Sequence, residues 1–397
     1  MNHRLTSCLL LAVLGCAPDD MPAAQGGPAP TLPATPLAYA VPLPAHAQAS
    51  LAPGVDNTPA ANPLTDAGAT LGRVLFYDRR LSLNGSTACA TCHQPDLAFA
   101  DRVVASPGFD GGVTARTSMG LIEVRFYARG RMFWDERAAT LEEQVLRPIQ
   151  DEVEMGLTLE ELVDRIGAEV FYPPLFAAAF GDAEVTSERI AQALAQYVRS
   201  IVAFDSKWDQ GVVEVTSIAD PFPNYTAQEN RGKAIFFGQH DPATRGLCGT
   251  CHMRDNPLAI RPPGAPPPPV TNIAFFQPIG PTNNGLPPLE GDLGVGGATG
   301  LPQDNNRFKP SSLRNIAAAG PYMHDGRFAT LEDVVDFYDR GITAVPGLDP
   351  ALRNPDGTPL RLRLPPEDRA ALVAFLKTLT DASIATDPRF ANPFPRP

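Results

Sequence analysis

The 397-residue sequence is poor in histidine, in spare cysteine and in long apolar runs, and each shortage excludes something. No uninterrupted apolar stretch reaches the ~18–20 residues that a membrane-spanning helix needs. Six cysteines are present, and Cys8 and Cys16 fall in an N-terminal leader. Cys89, Cys92, Cys248 and Cys251 all sit in two short motifs, so none is left for a structural disulfide. Basic charge is scarce too. The 32 Lys and Arg against 44 Asp and Glu leave a net charge of −12, with no basic stripe, which argues against a nucleic-acid partner. Alternating strand patterns are also rare, so the expected class is mainly α.

The motifs are Cys89-Ala-Thr-Cys92-His93 and Cys248-Gly-Thr-Cys251-His252. CxxCH is the pattern of covalent haem attachment: two thioethers fix the porphyrin edge and the adjacent histidine ligates the iron. A zinc or thiol-redox CxxC is the rival. Two copies, with no further cysteine in the mature body, favour two haem c groups, with His93 and His252 as proximal ligands.

Arg4, the apolar stretch 8–15 (CLLLAVLG) and Cys16 predict a secretory leader over residues 1–16. The run ending at Cys16 is similar to a bacterial lipobox. The expected location is therefore the periplasm, with outer-membrane lipid anchoring through Cys16, or a plain cleaved leader as the alternative. Residues 17–60 are rich in Pro and Ala and predict an extended tether, with folding starting near Asn62.

An internal repeat organises the rest. Residues 72–77 (GRVLFY) precede Cys89, and residues 232–237 (GKAIFF) precede Cys248, at nearly the same separation. Amphipathic helix, loop and CxxCH open a cytochrome c domain, so the expectation is two: residues 61–225 and 226–397. Thr226 and Glu229 predict a capping box. Helical text fills 140–147, 158–166, 186–204 and 366–380.

The second axial position of each iron decides function, since a filled site transfers electrons and an open one binds peroxide. No histidine lies between His93 and His240, so the first haem has no local histidine to close it.

Three longer segments carry a family resemblance. They are LGRVLFYDRRLS ahead of Cys89, Phe133-Trp134-Asp135-Glu-Arg137-Ala with Gln144, Pro148 and Glu154-Met155-Gly156, and Phe308-Lys-Pro-Ser-Ser-Leu-Arg-Asn315 followed by Pro321-Tyr-Met-His324-Asp-Gly-Arg-Phe328. Together, over roughly 62–380, they resemble the bacterial di-haem cytochrome c peroxidase/MauG superfamily. Tyr338 stands at the position after His324 where classical peroxidases carry a ligating Met. That resembles the MauG-like, Tyr-ligated branch, similar also to the methanobactin-associated di-haem enzymes.

The resemblance implies that Gln144 and Glu154 lie over the first haem as peroxide-handling groups. It implies that Trp134 relays charge between haems and that Tyr338 ligates the second iron. Arg137 and Pro148 would be pocket or propionate neighbours. A phenolate is a hard anionic ligand and stabilises the higher oxidation states of iron. The alternative at this position is that Tyr338 only packs and Met323 ligates.

Two departures stand out. An interdomain calcium is usual in the family, but its Asn is replaced by Thr117 in Arg116-Thr117-Ser118-Met119, so calcium is left open. The tryptophan that MauG carries just before its second haem motif has no counterpart in 240–247. The expected activity is reaction with hydrogen peroxide at the first haem and oxidation of a periplasmic or secreted protein. A peroxidase fed by a cytochrome c donor is the alternative, and a non-catalytic electron-transfer cytochrome the third reading.

Overall fold

The computed structural model describes residues 27–239, 248–253 and 273–395. Among these the chain is helical, with isolated β-bridges and no named strand. Two apolar clusters organise it. In the first, helix Asp66–Tyr77 crosses helix Ser187–Arg199, which also packs on Leu141–Gln150. In the second, helix Ala227–Phe236 crosses Pro366–Lys377.

The glycine shared by the two sequence repeats has a packing cause. A Cβ on Gly72 would lie 2.0 Å from the Ala193 carbonyl oxygen, and one on Gly232 would lie 1.9 Å from that of Ala371. In both units the backbones touch at the helix crossing, and only glycine admits that approach.

Local signals explain the helix ends. Thr65 accepts from the Gly68 N–H, and the capping box read at Thr226 and Glu229 is present, as is one at Thr158 and Glu161. The helix read through residue 204 stops at Arg199. Ile201 leaves the helix and its carbonyl accepts from the Glu123 N–H, placing Ile201 and Ala203 in the interior. The helix read through 147 continues past Pro148 to Gln150.

The tether expectation needs correction. Residues from 27 onward do not run free: Tyr39, Ala47 and Val55 are buried, and helix Ala45–Ser50 forms where no helix was expected. The Asp66 carboxylate accepts from the Tyr39 and Ala40 N–H groups at 2.7 and 2.9 Å. His46 meets Asp209 at 2.9 Å. Few apolar residues suffice here because each drops into a groove that others have formed, and proline lowers the entropy lost on ordering. The leader and residues 17–26 lie outside the described residues.

Packing also crosses the expected domain boundary. Trp208, Val212, Phe222 and Tyr225 belong to the second cluster, and Ile384 and Phe390 return to the first. Gly232→Ala should lower unfolding stability by about 1–3 kcal/mol, the usual cost of forcing atoms into a filled contact. A denaturant midpoint equal to the parent's would contradict the close approach.

Candidate functional site

Cys89–Cys92 form a single helical turn that ends at His93. The His93 Nδ1 lies 2.7 Å from the Phe99 carbonyl oxygen and 3.3 Å from the Ser118 hydroxyl, which itself donates to the Cys92 carbonyl at 2.7 Å. A carbonyl partner makes Nδ1 the donor and leaves Nε2 with its lone pair, the tautomer a metal ligand needs. Burial lowers the pKa of His93, and it brings His252 down to about 4, so both imidazoles are neutral at neutral pH. All four thiols are unpaired, and burial pushes them up to about 11 or 12. Paired free thiols on a helical turn beside a neutral imidazole fit covalent haem.

Near the first motif a pocket is lined by Phe133, Arg137, Arg147, Pro148, Gln150, Asp151 and Glu154. Glu154 is the half-buried acid in it. Burial and the nearby Asp151 raise its carboxyl to about 7, against a lowering pull from Arg137. Gln144 is not in this lining; it sits one helical turn before Pro148, half-buried.

The second motif opens onto a mostly apolar cavity. Cys248, Cys251 and His252 share its wall with Trp134, Asn284, Met323, His324 and Tyr338. The His252 Nδ1, buried, has no hydrogen-bond partner among the described residues. Among the described residues nothing holds this ring as the Phe99 carbonyl holds His93. Tyr338 stands in a π-helical turn, Phe337–Gly341, an irregularity common where a side chain must be re-aimed. Burial pushes its phenol up to about 12. One amide serves both candidate ligands, as Asn284 Nδ2 lies 3.3 Å from the Tyr338 oxygen and 3.8 Å from the Met323 sulfur.

A second internal repeat, in a different register from the first, relates the two sites. Residues 134–143 (WDERAATLEE) correspond to 324–333 (HDGRFATLED). The structure repeats with them: bridge Met132–Ala138 matches Tyr322–Phe328, and positive φ at Phe133 and Glu136 (68° and 54°) matches Met323 and Gly326 (73° and 64°). In this register Trp134 corresponds to His324, Gln144 to Val334, and Pro148 to Tyr338. Sequence reading alone did not find this, although the pattern Thr-Leu-Glu-Glu against Thr-Leu-Glu-Asp would have given it.

Trp134 and His324 meet across the junction of the two units, edge to face, with centroids 6.5 Å apart. The indole N–H donates to the Thr117 carbonyl at 2.8 Å, and the Trp134 carbonyl accepts from the Lys309 N–H at 2.7 Å. His324 stacks on Phe308 at 3.6 Å. Arg116 bridges Asp135 and Asp292, both at 2.7 Å, tying the two sides together. The hydroxyl of Thr117, which stands in place of the family's calcium-site Asn, donates to the Val104 carbonyl at 3.1 Å. Among the described residues no group of three or more His, Cys, Asp or Glu gathers as a metal site.

Paired helical units, each carrying a CxxCH turn, are the build of a di-haem c-type protein. Comparison with known proteins agrees. A family profile described as di-haem cytochrome c peroxidase matches residues 66–216. The methylamine utilization protein MauG of Methylophilus methylotrophus is 32% identical over 280 residues, 70% of this chain and 74% of that protein. The cytochrome c551 peroxidase of Nitrosomonas europaea is 31% identical, over 79% of each. A solved MauG-like protein associated with microbial copper homeostasis is 32% identical, with a TM-score of 0.69, covering 89% of this chain and 99% of that one. The chain belongs to the di-haem cytochrome c peroxidase/MauG family of oxidoreductases, which implies two c-type haems, and these similarities support its MauG-like branch.

Replacing Cys248 and Cys251 with Ala should leave one covalent haem where the parent carries two. Intact-protein mass spectrometry reads the difference, and an unchanged mass increment would refute the second attachment site.

Proposed function

We propose that this enzyme reacts with hydrogen peroxide at the first haem and, through Trp134 and a Tyr338-ligated second haem, oxidises a partner protein. The observation that carries the reading is the correspondence of Pro148 with Tyr338 in the second repeat. Proline offers no side-chain donor, so of the two equivalent helical positions Pro148 would leave a bound haem open on that side and Tyr338 would offer the other an oxygen ligand.

The haem held by Cys89, Cys92 and His93 supplies the iron that takes up peroxide. Glu154 handles the proton. With a carboxyl at about 7 it accepts the peroxide proton at neutral pH and returns it to the departing water. Gln144 lies outside the pocket lining, one helical turn before Pro148, with no side-chain hydrogen bond among the described residues, and on this reading it is the non-titrating amide that would orient the peroxide from there. Arg137 and Phe133 close the pocket, the guanidinium lying 3.6 Å over the ring. Trp134 lies at the junction and passes charge between the two units, and Asn284 holds the Tyr338 oxygen. The leader supports a periplasmic location, and among the described residues no helix is long and apolar enough to cross a membrane.

The second reading is reduction of peroxide with electrons from a cytochrome c. It draws support from the cytochrome c551 peroxidase relative and from Met323, whose sulfur shares Asn284 with Tyr338. With peroxide and no donor, the proposed function expects a Soret change that outlasts mixing, and Tyr338→Phe should shorten its lifetime. Steady turnover with reduced cytochrome c, equal in parent and Tyr338→Phe, would instead establish the second reading. A resting ferric protein without any high-spin EPR signal would overturn both, since neither haem would then be open.

The pH dependence has a definite sign. The base form of Glu154 is present above about pH 7 and lost below it, so the peroxide rate should rise as pH passes upward through about 7. Glu154→Gln should remove that rise and slow the reaction roughly 100-fold or more, with both haems retained. A Gln variant with the parent's pH profile would show that Glu154 does not act.

A further inference from the structure

Position 136 is occupied by a residue that its backbone does not favour. The equivalent position of the second unit is Gly326, and both are left-handed, at φ 54° and 64°. A non-glycine residue held there is strained. Glu136 is also almost wholly buried, whereas its partner Arg129 is half exposed. Something must require that carboxylate.

Its contacts show what. The Tyr127 hydroxyl, in a fully buried side chain, donates to Glu136 Oε1. Arg129 grips the same carboxylate through Nε and Nη2, each at 2.8 Å. The Tyr127 ring lies 4.7 Å beneath the Lys309 ammonium nitrogen, and the Lys309 N–H is the group bonded to the Trp134 carbonyl. Trp134, Lys309, Tyr127, Glu136 and Arg129 thus form a contiguous path from the cavity wall between the units to the surface.

We propose that Tyr127, with Glu136 as its proton acceptor, is a one-electron relay that carries oxidising equivalents from Trp134 to the surface at Arg129. The inference rests on the peroxide reading above. A phenol is hard to oxidise while it keeps its proton, and an acceptor already in hydrogen-bond contact removes that barrier. In the step, Tyr127 gives one electron to oxidised Trp134 while its O–H bond breaks and a new O–H bond forms on Glu136. Hydrogen peroxide is the terminal oxidant, taking two electrons and two protons to give two waters. Reduction of Tyr127 by an oxidisable side chain of a partner protein, with return of the Glu136 proton, closes the step. Tyr172, whose hydroxyl meets Asp78 at 2.7 Å, is the internal control. It is a buried phenol on a carboxylate with none of these links to Trp134.

The test is EPR of the two-haem protein frozen after mixing with hydrogen peroxide, with and without ring-deuterated tyrosine. The expected result is a tyrosyl signal that narrows on deuteration, disappears in Tyr127→Phe and persists in Tyr172→Phe. Glu136→Gln and Glu136→Gly should lose that signal while the Soret response to peroxide stays at the parent's rate, which a merely structural role would not produce. A tyrosyl signal unchanged in Tyr127→Phe overturns the relay, as does its absence from a parent that does react with peroxide. If the parent does not react with peroxide, the functional reading fails separately. Photo-oxidation of the same protein with a ruthenium sensitiser then decides: a Tyr127-dependent tyrosyl signal supports the relay, and none overturns it.

Discussion

Arg314 is the residue on which the placement of the two units depends. No part of its side chain reaches solvent, and its guanidinium pairs with Asp209 at 2.5 and 2.9 Å and with Glu123 at 3.4 Å. Glu123 lies on the side of the first unit, where its N–H meets the Ile201 carbonyl, whereas Asp209 and Arg314 lie with the second cluster. His46 from the N-terminal segment closes on Asp209. The Arg314 charge holds Asp209 far below the usual carboxylate range, while burial pushes Glu123 up to about 8. Asp209 thus neutralises the arginine most directly, while burial disfavours the ionised form of Glu123. Removing a partner from such a pair costs about 3–5 kcal/mol, because the remaining charge stays buried. A fixed junction is what sets Trp134 edge-on to His324.

What the sequence revealed follows the kind of constraint involved. Covalent attachment demands particular atoms at a fixed spacing, so Cys89, Cys92, His93 and their later counterparts are plain in the chain. Capped amphipathic helices are nearly as plain, because Thr226 and Glu229 act within one turn. Tertiary determinants are harder to read. The burial of Tyr39 and Val55 depends on a groove built by distant residues, so a Pro/Ala-rich stretch gave no sign of it. Asn284 is far from Tyr338 along the chain, and no local pattern joins them. The stop at Arg199 depends on Glu123 capturing the carbonyl of Ile201.

The two repeats in the chain are of different kinds. The one that pairs Cys89 with Cys248 duplicates the attachment turn and its glycine-containing helix. The one that pairs Trp134 with His324 duplicates a loop and the helix that follows it, which contribute lining residues to each pocket. Because the two offsets differ, an alignment of one repeat puts the other out of register, and Pro148 and Tyr338 then look unrelated. Their equivalence emerges from the matching bridges and left-handed residues of the two loops.

Duplication also explains where specialisation can enter at little cost. A repeated loop already holds its backbone through the shared Asp-x-Arg turn: Asp135 receives the Arg137 N–H and Asp325 that of Arg327, both at 3.3 Å. Residues that project from such a frame can change without moving it. On the proposed reading Trp134 against His324 changes what conducts and Pro148 against Tyr338 changes what is open, and Glu136 against Gly326 adds a buried carboxylate to one unit alone. The third difference opposes backbone preference, whereas the first two do not. A residue retained against its own conformational preference is the one whose side chain the frame must be serving, and here that side chain ends on a phenol.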